Sequence, residues 1–182
     1  MIDLHTPRYS GAEAAKACGI PVTTFRSYFA RGHFRVFGDA RERDANGLPH
    51  QFSLRDIVGL AIAIRLMDST SITPASAFNV GMKFAHMGNN CREPGRAFNF
   101  HEFGETAILY WPQSDRSRIM PFDKLTLHDL AANEKAVSVL LVNHAIGDVY
   151  KALGLDPMVA VIGSEPPADA SDWEEIGEIV SE

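Results

Sequence analysis

Two segments of helix length, joined by a tight turn at Gly19, fill residues 10–32, and they restrict this chain more than any other feature. Ser10-Gly11-Ala12-Glu13 carries a serine followed three residues later by a carboxylate, the pattern of a capping box. The Ala-rich run from Gly11 to Cys18 then stops at Gly19. Pro21 suits the first turn of a second helix that runs to about Arg31, and Gly32 suits its end. Val22, Phe25 and Phe29 recur at three and four residues and predict a single buried stripe on that helix. Thr23, Thr24, Arg26, Ser27 and Arg31 fall largely on its other faces. A short helix, a tight turn and an amphipathic second helix form a helix-turn-helix.

The pattern changes after Gly32. Phe34-Arg35-Val36-Phe37 has strand character, Gly38 to Gly47 is polar and turn-rich, and Pro49-His50-Gln51-Phe52 can return as a second strand. Ser53 caps a third helix whose Leu54, Ile57, Val58, Ala61, Ile62, Arg65 and Leu66 follow a 3.6-residue period. The first 68 residues are therefore expected to form a winged helix-turn-helix, with the hairpin as the wing.

A second unit is expected over residues 69–162. Thr73 and Pro74 start a helix that runs to Met87 and ends at Gly88. Thr106–Trp111 and Arg118–Phe122 read as a hairpin around Pro112–Asp115. A long helix is expected from Leu127 to Leu153, with Leu130, Val137, Leu140, Leu141, Ala145 and Val149 as its apolar positions and Gly154 closing it. Residues 163–182 are rich in Pro, Asp, Glu and Ser, a composition that predicts a disordered acidic tail. The fold class expected is α+β, mainly helical: a winged helix-turn-helix followed by a helix, a β-hairpin and a long helix.

Net charge is −6, which opposes nucleic-acid binding until it is divided along the chain. Residues 1–67 hold nine Lys/Arg against six Asp/Glu, whereas seven acids and no Lys or Arg fall between Ser164 and Glu182. The amino-terminal part is mildly basic, so DNA binding is permitted. The longest apolar runs are too short or interrupted to cross a bilayer, and the first residues lack the pattern of a secretory signal. Cys18 and Cys91 match no disulfide or zinc spacing. These features predict a cytoplasmic protein without membrane partners.

The sequence offers no nucleophile with its base, no phosphate-binding glycine loop and no clustered carboxylates in a catalytic pattern. No cofactor or metal is expected. Cys91 with His86 and His101 invites a metal or thiol-sensing reading, but the spacing fits no standard site. Cys18 reads as a small core residue, and His144 as packed on the apolar side of the last helix. Trp111, Tyr110, Phe98, Phe100 and Phe103 read as a second core in preference to a ligand pocket. Trp173, Ile176, Ile179 and Val180 among the acids of the tail suggest a docking peptide for a protein partner or a DNA-mimicking inhibitor.

The run Ala12-Glu13-Ala14-Ala15-Lys16-Ala17-Cys18-Gly19-Ile20-Pro21-Val22-Thr23-Thr24-Phe25-Arg26-Ser27-Tyr28 resembles the opening of the MerR family of regulators, and the likeness continues through Arg31-Gly32-His33-Phe34 and Phe52-Ser53-Leu54-Arg55-Asp56-Ile57. It covers residues 10–67. The resemblance implies that Thr24 and Arg26 occupy recognition-helix positions, with Arg26 on the DNA backbone and Tyr28 near phosphate. Ser27 and Phe29 stand where the family has an aromatic and an acid. His50-Gln51 replace its usual wing arginine, and the wing is longer. The expected DNA-contacting residues are Thr23, Thr24, Arg26, Ser27, Tyr28, Arg31, Arg35, Arg41, Arg43, His50 and Gln51. Local salt pairing with Asp39, Glu42 and Asp44 competes for Arg41 and Arg43. The expected function is that of a sequence-specific transcriptional regulator, not an enzyme, binding double-stranded DNA as a homodimer on a palindromic site through the last helix. The alternatives are a DNA-architectural factor of excisionase, partition or packaging type and a protein-interaction adaptor whose helix-turn-helix has lost DNA binding.

Overall fold

The computed structural model describes residues 4–35, 51–70, 72–87, 105–130 and 136–156. The described chain runs through α1 (Gly11–Ala17), α2 (Val22–Ala30), α3 (Leu54–Ser69) and α4 (Pro74–Met82), which continues as a π-helical turn over Lys83–Met87. Next come β1 (Thr106–Trp111), β2 (Arg116–Pro121), a 3-10 turn (Phe122–Lys124), α5 (Leu127–Leu130), β3 (Ser138–Leu141) and α6 (Val142–Ala152). The fold is α+β.

The caps form as the sequence predicts. The Glu13 N–H donates to Ser10 Oγ at 3.3 Å while the Ser10 N–H donates to the Glu13 carboxylate at 2.7 Å, closing the capping box of α1. Both α1 and α2 end on a glycine in the left-handed region, Gly19 at φ +75° and Gly32 at φ +70°. At Gly32 the N–H bonds the Phe29 carbonyl, and the His33 N–H reaches back to Tyr28, each at 2.9 Å. This is the Schellman arrangement, which satisfies carbonyls that a helix end would leave orphaned. Ser53 and Asp56 build a second capping box at the start of α3.

α3 is the central post of the molecule. Twelve of its residues, from Leu54 to Leu66, are buried, so its apolar surface extends well beyond the single stripe that the 3.6-residue period suggests. α1, α4 and α6 pack around it. An aromatic cluster of Phe25, Phe29, Phe34 and Phe52 fills the corner beside α2, with ring centroids 5.2–5.7 Å apart. The same hydrophobic core continues into Ile108 and Tyr110 of β1, Ile119 of β2, and Val142, Ile146 and Val149 of α6. Residues on both sides of the division expected after residue 68 thus share one core.

The three strands form an antiparallel sheet in the order β2-β1-β3. The hairpin appears where expected, with β2 starting at Arg116 instead of Arg118. The long helix expected over Leu127–Leu153 does not form as one element. Leu127–Leu130 is a single helical turn, Ser138–Leu141 is a strand against β1, and only Val142–Ala152 is a longer helix. Val137, Leu140 and Leu141 do fit a helical period. In β3, however, Leu140 meets the main core, while Leu141, with Val137 just before the strand, meets a smaller cluster of Ala107, Leu109, Trp111 and Met120. Alternation between two apolar layers wins over the helical period because β1 needs a partner on this edge.

The wing expected over 34–52 lies mostly outside the described residues. Its described end, Phe52, pairs with Tyr9 ahead of α1 through reciprocal hydrogen bonds of 3.0 and 2.7 Å. Among the described residues no helix is long and apolar enough to cross a membrane.

Candidate nucleic-acid interface

α2 is fixed by one side and open on the other. Phe25 and Phe29 are buried, which turns the stripe Thr23, Arg26, Ser27 and Ala30 (positions i, i+3, i+4 and i+7) away from the core. Thr23, Arg26 and Ala30 are exposed and Ser27 is half-buried. Thr24, half-buried, and Arg31, exposed at the helix end, flank this stripe. An α-helix with its side chains is about 10–12 Å across, which matches a major groove about 12 Å wide.

Arg26, Arg31 and Arg35 are exposed and make no hydrogen bond or ion pair among the described residues. Tyr28 is different. Its ring stacks on Phe34 at 4.7 Å and meets His33 edge-on at 6.4 Å, so it packs the helix end and leaves only its rim accessible. Gln51 is exposed beside Phe52. Arg41, Arg43 and His50 lie outside the described residues.

Sequence reasoning passed over two residues of this surface. Ala30 carries no polar group, yet a small side chain on the outer stripe lets the helix backbone approach a partner closely. Arg8 precedes α1 on the segment paired with Phe52; its guanidinium donates to the Tyr9 hydroxyl at 3.0 Å and lies 5.1 Å over that ring. Only the structure joins Arg8 to Phe52, through the Arg8 N–H to Phe52 carbonyl bond of 3.0 Å.

Arg55 is not part of this surface. It is 8% exposed, near His5 at 3.4 Å, and burial lowers its basicity while Asp56 partly restores it. Asp56, fully buried, accepts from the Ser53 N–H at 2.8 Å and the Ser53 hydroxyl at 2.6 Å, and its second oxygen stands 3.3 Å from His86 Nε2. That position ties His86 to the cap of α3. Cys91 and His101 are outside the described residues, among which no cluster of His, Cys, Asp or Glu could hold a metal. Cys18 is a core residue as expected: it is buried, its Sγ lies 3.8 Å from the Ile57 carbonyl, and burial pushes its thiol far up.

Trp111 belongs to the second, smaller apolar cluster, in keeping with a packing role; Phe98, Phe100 and Phe103 are outside the described residues. His144 departs from expectation. It is not packed: its side chain is 65% exposed and Nε2 meets Glu105 at 3.0 Å. Starting the helix at Val142 instead of Leu127 rotates the apolar stripe onto Val142, Ala145, Ile146 and Val149, and His144 falls outside it.

Comparison with protein-family models, curated proteins and solved structures finds no match to this chain.

Proposed function

We propose that this chain is a double-stranded-DNA-binding regulator, MerR-like over residues 10–67, that reads the major groove with the outer stripe of α2. One observation carries the reading: Arg26 and Arg31 are exposed and make no ion pair among the described residues, on a helix whose opposite face is locked by Phe25 and Phe29, at the second position of a helix–glycine turn–helix. Thr23, Thr24 and Ser27 supply hydroxyls for base edges or phosphates, Arg26, Arg31 and Arg35 neutralise phosphates, and Gln51 with Arg41, Arg43 and His50 extends the contact along the wing. Tyr28 positions the helix end. The proposal includes a non-enzymatic role.

The test is selection of random genomic fragments at low salt, followed by titration of the enriched duplex across salt. Retention of specific sequences supports the reading, and Arg26→Ala should reduce the slope of log K against log salt by about 1. Failure to retain any fragment at low salt overturns it.

A second reading, a DNA-architectural factor using the same module for assembly, gains from the division of the expected pairing helix into α5, β3 and α6. Pairing of two subunits on a palindromic site through that helix needs it as one continuous element. Clustered non-palindromic sites favour the architectural factor; an isolated palindrome near promoters favours the regulator.

A further inference from the structure

A cleft of about 450 Å³ lies between α4 and the turn joining β1 to β2, within the size range of small-molecule sites. Its polar lining is Ser76, Asn79 and Lys83 from the helix side, and Asp115, Arg116 and Ser117 from the turn. Lys83 is half-buried and makes no hydrogen bond or ion pair among the described residues. Arg116 is held in place: its Nε donates to Ser114 Oγ at 3.0 Å and its guanidinium lies 5.6 Å over the Trp111 ring.

Two departures from regular backbone border this same cleft. Lys83 opens the π-helical turn, a feature that often marks functional positions in helices. Asp115 sits at φ +52°, a strained conformation for a side chain other than glycine. The Tyr110 hydroxyl donates to one Asp115 oxygen at 2.8 Å and the Ser76 hydroxyl to the other at 3.1 Å, which keeps the carboxylate fixed at the rim. Among the described residues of the lining, two cations stand with one carboxylate.

We propose that this cleft binds a small hydroxylated organic phosphate, whose phosphate sits between Lys83 and Arg116 and whose hydroxyl donates to Asp115, and that this ligand regulates α2. A lysine point charge beside an oriented guanidinium suits a phosphate. The fixed carboxylate repels a bare oxyanion and rewards a ligand that brings a hydroxyl donor. Ser117 and Asn79 supply further polar contacts.

The regulatory half rests on the DNA-binding reading. The π turn that begins at Lys83 also carries His86, 3.3 Å from Asp56. Asp56 caps α3 through Ser53, and the neighbouring Phe52 packs on Phe25 and Phe29 of α2 at 5.5 and 5.7 Å. A shift of the π turn on binding therefore reaches the base of α2 through packed groups.

The experiment uses the full chain carrying Trp173→Phe, which leaves Trp111 as the sole tryptophan. Glycerol 3-phosphate is titrated against Trp111 emission, with calorimetry on the unsubstituted chain as the second measurement. The expected result is saturable binding with a Kd of about 1 mM or tighter, at least tenfold weaker for glycerol, glycerate and inorganic phosphate, and weakened at least tenfold by Lys83→Ala with its melting temperature unchanged. No saturable signal by either method at about 10 mM ligand, or equal binding by Lys83→Ala, overturns the site. The titration involves no DNA. Ligand binding by a chain that holds no DNA refutes the DNA-binding reading and the regulatory role but leaves the site standing. Binding of both, with DNA affinity moved less than twofold by the ligand, refutes regulation alone.

Discussion

Gly81 of α4 lies so close against Gly59 of α3 that a Cβ on Gly81 would overlap the Gly59 carbonyl oxygen. The neighbour is backbone of the most buried helix, so it cannot yield as a flexible side chain would. Gly81→Ala must force the two helices apart, and the cost is expected at the upper end of overpacking, about 3 kcal/mol. A Cβ on Gly59 meets instead Met82 Sδ and Cε, both at 3.1 Å, and Ala85 Cβ at 3.2 Å. Methionine can adopt another rotamer, but Ala85 Cβ yields only with its backbone, so the gain of about 1 kcal/mol in helix propensity offsets only part of the crowding and Gly59→Ala should cost about 1 kcal/mol, well below Gly81→Ala. Urea unfolding of the two variants checks this asymmetry; equal losses would show that the helix crossing is misplaced.

Alkaline pH should expose two tyrosines. Burial raises Tyr110, reinforced by its bond to Asp115, to about 12. Burial, with Tyr9 nearby, raises Tyr150 likewise to about 12. Unfolded tyrosine ionises near pH 10. Between about pH 10 and 12 the folded chain therefore holds more protons than the unfolded one, and stability falls as pH rises. The contribution is complete below pH 10 and is lost through pH 12. Urea melts across this range should show the decline, and Tyr150→Phe should make it shallower while changing stability little at neutral pH. An unchanged slope in that variant would contradict the burial of Tyr150.

The parts of the fold legible in the sequence are those whose causes lie within a few residues. Ser10 with Glu13, Thr73 with Pro74, and Gly19 and Gly32 each set a helix end through local hydrogen bonds, and the outer stripe of α2 follows from the positions of Phe25 and Phe29. What was not legible depends on distant partners. Val137–Leu141 is compatible with helix or strand, and the unpaired edge of β1 decides for strand. Burial of α3 on most sides needs the positions of α1, α4 and α6. The cleft draws on α4 and on a turn more than thirty residues later, so no sequence spacing announces it.

Cys18 should be chemically silent in the native state. It is buried against the Ile57 carbonyl, and desolvation raises its thiol well above the ordinary range, so thiolate is scarce at pH 8. In a Cys91→Ser background, a thiol reagent should label the chain at the rate of unfolding and reach full stoichiometry only in denaturant. Fast native labelling would mean that α1 opens away from α3. A cysteine acting as a redox sensor would require that behaviour, so the same experiment bears on any such role for Cys18.

Ala30 separates the proposed DNA-reading face from the packing that supports it. The residue is exposed on the outer stripe of α2, one turn beyond Arg26 and Ser27, and it contributes nothing to the buried core. Ala30→Glu should therefore leave stability within about 0.5 kcal/mol of the parent. On a surface apposed to phosphates, the same change adds both bulk and a repelling charge, and like charges brought together at an interface cost several kcal/mol. DNA affinity should fall at least tenfold at low salt, with less of a deficit as salt screens the added charge. Unaltered affinity in a fully folded Ala30→Glu protein would mean that DNA, if bound at all, meets another face. The outer stripe of α2 would then not be the face that reads DNA.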